Sequence, residues 1–178
     1  MKFQLCGHNF WATGSFDKEF ALLLRAFKDR NLVSLARPLA ELLDEAVALA
    51  PRANSFLLPP KNPANFRRRG FHPIELVAAR SSLLAKLRRV RAMATRDLAE
   101  QRRLGQADRQ ANLAGSLAVP PGSGTLLVID DVVTTGATMI ELVRAASQAG
   151  YEVVGGCAIA ASSGFSVLQG GEKGVVWS

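Results

Sequence analysis

LLVIDDVVTTGATM, residues 126–139, joins four apolar residues to two adjacent aspartates and then to a run of hydroxyl side chains. A continuous apolar run of this length is typical of a strand that is buried on both faces of a parallel sheet. After the Thr-Thr-Gly-Ala-Thr run, apolar residues recur at helical spacing. The stretch therefore predicts a strand over 125–130 that ends in two carboxylates, followed by a helix over 136–149.

The flanking sequence continues this alternation of strands and helices. We expect the following further elements: helices at about 17–29 and 34–49, a strand at 55–58, a helix that opens at Pro73, and a strand at 151–161. Residues 91–96 and the terminal VVWS are candidate strands, 59–71 a proline-containing loop, and 1–15 show no clear period. The alternation predicts an α/β fold with a mostly parallel open sheet and helices on both faces.

The composition is that of one folded domain, which we expect to span residues 1–178. A hydrophobic fraction of 48% argues against disorder. No apolar run reaches the roughly 18 residues of a membrane span. The N-terminal MKFQLCGHNFW lacks the shape of a signal peptide, so we expect a cytoplasmic protein without a membrane partner.

The two cysteines do not predict a zinc site. A four-cysteine site needs two more, and no CxxC pair is present. Cys157 lies in the apolar VVGGCAIAA, as a small core residue would. Cys6 and His8 would supply half a metal site, but the sequence offers them no partners.

Positive charge is concentrated in residues 61–110. The net charge of the chain is +7, and this segment alone holds thirteen Lys or Arg against four Asp or Glu, an excess of nine. A solvated helical face would explain this. So would a surface for phosphates, either of a small molecule or of a nucleic acid.

The residues after the predicted strand suit a phosphate. A helix N-terminus offers free N–H groups and a positive dipole end, and Thr134, Thr135 and Thr138 add hydroxyl donors. A ribose 5-phosphate fits both halves of the motif, because its phosphate takes the loop while its hydroxyls donate to Asp130 and Asp131. Mg²⁺ would share the acidic side, since it prefers hard oxygens and substrate phosphates.

VIDDVVTTGATM resembles the phosphoribosyl pyrophosphate (PRPP) binding motif of type I phosphoribosyltransferases. The resemblance implies that family's fold, with a small hood. It also implies that Asp130 and Asp131 hold the ribose hydroxyls. It implies that the 5-phosphate is enclosed by Thr134, Thr135, Gly136, Ala137 and Thr138. A strand end with a solvated Asp pair and an ordinary Thr cap is the simpler alternative.

Three further stretches are similar to the ComF family, named for competence protein F, so that the resemblance covers roughly 20–163. The matching positions are Lys28, then Arg69-Gly70-Phe71 with His72 where the family has Asn, then Gln101, Arg109 and Asn112-Leu113. The resemblance implies that loop 59–71 binds pyrophosphate through Lys61, Arg67, Arg68 and Arg69, of which Arg69 is the best single candidate. It also makes 96–119 the hood, with Gln101, Arg109 and Asn112 as candidates for acceptor recognition.

These resemblances imply a PRPP-binding protein that uses Mg²⁺ and that, if it is an enzyme, transfers phosphoribosyl to an acceptor. Thr134 stands where purine phosphoribosyltransferases usually carry an Asp, and Thr cannot act as a general base at neutral pH, so purine salvage is disfavoured. A PRPP-sensing regulator is one alternative. Another is an accessory protein of DNA uptake that binds single-stranded DNA, with a competence-machinery protein or a second copy of the chain as partner.

Overall fold

The computed structural model describes residues 1–95, 115–162 and 164–165, and a six-stranded sheet runs through them. Its strands, in chain order, are β1 (Lys2–Leu5), β2 (His8–Ser15), β3 (Ser55–Leu58), β4 (Arg88–Arg91), β7 (Thr125–Val133) and β8 (Glu152–Ala161). They lie in the order β1-β2-β8-β7-β3-β4, and every neighbouring pair except β1–β2 is parallel. The predicted mostly parallel sheet is confirmed.

Helices cover both faces of this sheet. They are α1 (Lys18–Asp29), α2 (Ala36–Leu49), α3 (Pro63–Arg69), α4 (Pro73–Ala78) and α5 (Ala137–Gln148). Apolar residues of α1, α2 and α4 form one core with Leu127 and Ile129 of β7, whereas α5 forms the other with Leu126 and Val128. Strand β7 is thus buried on both faces, which explains its continuous apolar sequence.

The N-terminal residues form a β-hairpin that was not predicted from their sequence. Strands β1 and β2 pair with Phe3 opposite Phe10, around a two-residue turn in which Cys6 and Gly7 have φ values of 47° and 80°. Positive φ at both central residues is the backbone of a tight hairpin turn. Strand β2 then pairs in parallel with β8. The hairpin escaped prediction because its turn lacks the usual Asn-Gly and its strands contain no Val or Ile.

A loop was predicted for residues 59–71, but the segment contains the helix α3. This prediction was therefore wrong. Asn62 caps this helix by accepting hydrogen bonds from the N–H groups of Ala64 and Asn65, both at 3.1 Å. Pro63 occupies the first turn, and Gly70 ends the helix with φ 77°. Cap, proline and glycine are together the usual signals of a short helix.

Other boundaries shift by a few residues. The helix that opens at Pro73 is confirmed but ends at Ala78. The strand expected at 91–96 is replaced by β4 and by β5 (Met93–Ala94), which pairs with β6 (Leu117–Ala118) in a separate two-stranded sheet. The candidate strand VVWS and residues 96–114 of the predicted hood segment 96–119 lie outside the described residues. Within the described ranges, no helix has the length and apolar character needed to cross a membrane.

The small sheet β5–β6 joins the described residues on either side of 96–114. Thr95 donates its N–H to the carbonyl of Ser116 at 2.8 Å. From α5, the buried carboxylate of Glu141 accepts the N–H groups of Leu117 at 2.9 Å and Gly115 at 3.2 Å, and it pairs with Arg144 at 2.6 Å. The two points at which the chain leaves and re-enters the described core are therefore held together beside α5.

Candidate ligand-binding site

The two aspartates lie at the point where the sheet changes winding direction. From β3 the chain passes through α4 to β4 on one side, and from β7 it passes through α5 to β8 on the other. Helices α4 and α5 belong to different cores and so lie on opposite faces. In open α/β sheets, such a switch point opens a crevice beyond the carboxyl ends of the strands, and ligands bind there.

Asp130 and Asp131 lie inside β7, whereas the sequence predicted that the strand ended at 130. On one side β7 stays paired with β8 through Val133. On the other side, the last pair with β3 is Leu57 with Val128. Strand β7 therefore loses its β3 partner before the carboxylates, whereas its pairing with β8 continues past them. That asymmetry opens the crevice beside both aspartates.

The crevice contains a cavity of about 190 Å³. Its walls come from the end of α1, from the segment around α3 and from β7. Its polar lining consists of Lys28, Asn62, Asn65, Arg69, His72, Asp130 and Asp131. Residues far apart in the sequence thus supply cationic, amide, imidazole and carboxylate groups to one small space.

The two carboxylates differ in their partners. Asp131 pairs with Lys28 through an Nζ–Oδ2 distance of 2.6 Å, and the two side chains are only 16% and 22% exposed. Asp130 instead accepts the N–H of Asp131 at 2.8 Å. Burial, followed by the neighbouring charge of Asp131, raises the pKa of Asp130 to about 7. The site therefore favours the protonated carboxyl of Asp130 much more than water favours that of an exposed aspartate.

The Thr-Gly loop lies on the far side of Asp130. A crease of about 30 Å³ is lined by Asp130 together with residues 132–139. Gly136 has φ 78° and precedes the first turn of α5, whose N–H groups lack partners within the helix. The positive φ favours glycine at 136, and a Cβ there would also lie 2.7 Å from the end of the Leu5 side chain, which would have to move. Asp130 is thus shared by the crease and the larger cavity.

Of the four basic residues proposed for pyrophosphate, the structure brings one to the cavity. Arg69 lines it and donates to Asp29 Oδ1 through Nε at 3.3 Å and Nη2 at 2.9 Å. Lys61 instead pairs with Glu75 at 3.0 Å, and Arg68 lies 3.6 Å from Asp29. Neither of these, nor Arg67, is among the residues that line the cavity. The acceptor candidates Gln101, Arg109 and Asn112 lie outside the described residues.

The structure adds residues to which sequence reasoning gave no role. Lys28 and His72 had appeared only as positions in a family resemblance, and Asn62 and Asn65 had not been singled out. The Asn-Pro pair at 62–63 is a helix-start signal that would have placed Asn62. No sequence pattern connects Lys28 to Asp131, because that contact depends on how α1 packs against the sheet.

His72 has an unusual environment. Its Nδ1 is buried without a hydrogen-bond partner and lies 3.8 Å from Glu75 Oε2. Glu75 itself is held by Lys61 and by a close contact with Arg89. Burial lowers the pKa of His72 below its ordinary value, despite the opposing charges of Glu75 and Asp131. Burial thus favours the neutral imidazole in the ligand-free protein.

The donor groups suit a metal ion only if a ligand brings further oxygens. Within residues 1–95, 115–162 and 164–165, no cluster of three or more His, Cys, Asp or Glu side chains is present. Two carboxylates beside bound phosphates match Mg²⁺, which commonly binds through one or two carboxylates and substrate phosphates. Cys6 is exposed at the hairpin turn. Cys157 is buried, as predicted, and burial raises its pKa to about 12.

Similarity to known proteins is found among solved structures. No protein family profile and no curated protein matches the chain. Solved structures similar to it include UMP synthase from Leishmania donovani, at 17% identity and a TM-score of 0.43 over 76% of this chain. They also include orotate phosphoribosyltransferase from Aeropyrum pernix, at 19% identity and a TM-score of 0.37, covering 88% of this chain and 71% of that one. The chain spans about a quarter of the UMP synthase (24%).

Proposed function

We propose that the chain binds PRPP in the crevice beside β7 and acts as a phosphoribosyltransferase-like protein of the ComF type. One observation carries this proposal: Asp130 lines both the Thr-Gly crease and the cavity that contains Arg69. A molecule with a phosphate at each end and hydroxyls between them matches that arrangement. PRPP has this form, with a 5-phosphate, a ribose and a pyrophosphate.

Each part of PRPP then has its own set of residues. The 5-phosphate lies in the crease, where Thr134, Thr135 and Thr138 offer hydroxyls and the start of α5 offers N–H groups. The ribose hydroxyls donate to Asp130 and Asp131. Lys28 supports this role, since its ammonium group pairs with Asp131 and holds that side chain in place.

The pyrophosphate takes the larger cavity. Arg69 supports this assignment, because it lines the cavity and a guanidinium matches phosphate oxygens with two parallel donors. Binding would replace or share the present contact of Arg69 with Asp29. Asp130 and Asp131 are the residues that would hold Mg²⁺ together with the phosphate oxygens of the ligand, and the ion would supply charge stabilisation for the leaving pyrophosphate.

Transfer would break the bond between ribose C1 and pyrophosphate, and the bonding electrons would leave with the pyrophosphate. The acceptor would then bond to C1. Holding the ribose between two phosphate sites contributes by positioning, and the cations of the cavity stabilise the departing charge. Acceptor recognition is assigned to the hood, with Gln101, Arg109 and Asn112 as candidates.

Calorimetry with PRPP and Mg²⁺ tests the proposal directly. Wild type should bind, and the double substitution Asp130→Asn, Asp131→Asn should weaken binding at least tenfold, since each lost hydrogen bond to a charged group is worth about 1.5–3 kcal/mol. Asp17→Asn is a matched control, because Asp17 only caps α1 and Asn caps equally well. Failure of wild type to bind PRPP would remove both the enzyme and the PRPP-sensor hypotheses.

A screen for pyrophosphate release across nucleobases separates the two remaining roles. A base that releases pyrophosphate from PRPP, with loss of release in the double variant, identifies a transferase. Tight PRPP binding without release for any base, in the presence of Mg²⁺, favours a sensor.

The alternative of single-stranded DNA binding gains no specific support from the described residues. Arg69 pairs with Asp29, while Lys61 and Arg89 pair with Glu75, so part of the predicted basic surface is already neutralised. A mobility-shift assay at low and high salt tests it, because nucleic-acid binding through phosphates must weaken as salt rises. A competence-machinery partner and a homodimer remain predictions from the resemblance.

A further inference from the structure

We propose that His72 is a proton-linked ligand for pyrophosphate: binding draws a proton onto its imidazole, which then lies between the pyrophosphate and Glu75. The proposal rests on the proposed function, because it requires pyrophosphate in the cavity that His72 lines. It adds a residue and a pH dependence that the PRPP resemblance does not imply, since ComF-type proteins carry an uncharged Asn at this position.

The geometry assigns the two ring nitrogens different surroundings. Nδ1 is buried, unpaired, and 3.8 Å from Glu75 Oε2. His72 lines the cavity, and we assign its other ring nitrogen, Nε2, to the ligand there. A neutral imidazole carries only one N–H, so it cannot donate in both directions. An imidazolium donates in both, to Glu75 on one side and to an anion in the cavity on the other.

Three acidic and four basic side chains lie around His72 in the ligand-free state. They come from every element that adjoins the ring: Glu75 on α4, Asp130 and Asp131 on β7, Lys61 and Arg69 around α3, Lys28 on α1, and Arg89 on β4. Burial outweighs the acidic neighbours and lowers the pKa of His72. Pyrophosphate adds several negative charges at hydrogen-bonding distance, and such charges favour the protonated ring.

The added proton also suits the chemistry. As the bond from C1 to pyrophosphate breaks, negative charge accumulates on the leaving oxygen. A donor already aimed at that group stabilises the charge without further reorganisation. His72 would therefore help both to bind pyrophosphate and to release it from C1, while the proton stays on the imidazole.

Proton uptake can be measured by calorimetry with pyrophosphate and Mg²⁺ in two buffers of different ionisation enthalpy. The chain has two histidines, so His72→Asn and the matched control His8→Asn separate the site from the background. We expect wild type and His8→Asn to take up the same number of protons. His72→Asn should take up fewer, by at most one. The protonation change of the ligand itself is common to all three proteins and cancels in the comparison.

Affinity should follow the same pattern. Between the free and the bound pKa of His72, the pyrophosphate Kd of wild type should rise by up to about tenfold per pH unit beyond the slope seen in His72→Asn. NMR of His8→Asn, whose only imidazole is His72, provides a second readout without altering the site. The His72 pKa should rise when pyrophosphate is added.

The outcomes are distinguishable. Equal proton uptake by wild type and His72→Asn, or a His72 pKa that does not rise on pyrophosphate binding, overturns the inference and leaves the proposed function standing. Absence of pyrophosphate binding by wild type overturns both. Fewer protons in His72→Asn, together with the rising pKa in His8→Asn, supports the inference.

Discussion

Substitution of Asp130 by Asn should stabilise the protein at neutral pH while it weakens ligand binding. The pKa of Asp130 is raised from 3.8 to about 7, chiefly by burial. The folded state therefore binds its proton more tightly than the unfolded chain does. Stability must fall as the pH rises from about 4 to about 7, because over this range the unfolded chain has released the proton that the native protein keeps.

The size of the effect follows from the shift. About three pKa units at 1.36 kcal/mol each give an upper limit of roughly 4 kcal/mol. Asp130 retains some contact with solvent and lies near Lys28, so we expect about 2–3 kcal/mol at pH 8. Asn is nearly isosteric with Asp and cannot ionise, so it removes this cost.

The assay is urea unfolding of wild type and Asp130→Asn at several pH values between 4 and 8. The stabilities should coincide near pH 4 and diverge as the pH rises. Asp17→Asn should show no comparable gain, since the exposed cap is retained in that variant. If Asp130→Asn is no more stable than wild type at pH 8, the burial argument for the crevice is wrong.

Three further substitutions test the structure. Glu141→Gln should lower the free energy of unfolding in urea by about 2–4 kcal/mol, because it breaks a mostly buried pair with Arg144. The control Glu41→Gln, in an exposed pair on α2, should lower it by at most about 0.5 kcal/mol. Equal losses in the two variants would contradict the burial argument. Gly136→Ala should destabilise by at least about 1–2 kcal/mol from its positive φ alone and should weaken PRPP binding, which calorimetry would detect. Arg69→Ala should weaken pyrophosphate binding by about 10- to 100-fold, as expected for a charged hydrogen bond, whereas Arg67→Ala should leave the Kd nearly unchanged; equal losses would refute the assignment to Arg69.

The parts of the fold that sequence predicts best are those determined locally. Strand β7 and helix α5 follow from continuous and periodic apolar patterns, and the Asp pair and Thr-Gly loop are contiguous. The hairpin β1–β2 depends instead on pairing with β8, which is specified almost 150 residues later. Its three consecutive buried residues, Phe10, Trp11 and Ala12, hide the alternation that a half-buried strand would show.

The aspartate pair and the Thr-Gly loop of the site could be predicted from the sequence, but the residues that line its cavity could not. Residues 130–138 can be recognised in the sequence because adjacent carboxylates followed by several threonines are unusual at the end of a strand and in a turn. Lys28 and His72 have ordinary local sequences, and they reach the cavity only because α1 and the start of α4 pack beside β7. Arg67, Arg68 and Arg69 are adjacent and chemically identical, so only the orientation of α3 distinguishes the one that lines the cavity.

The strand order has a consequence for biosynthesis. Strand β2 is an early segment of the chain, yet its parallel neighbour β8 ends at Ala161. During translation, the edge of β2 that faces β8 in the finished protein stays unpaired until β8 has been synthesised. Exposed strand edges invite pairing with other chains. A nascent chain arrested before residue 152 should therefore depend on chaperones far more than the finished protein does.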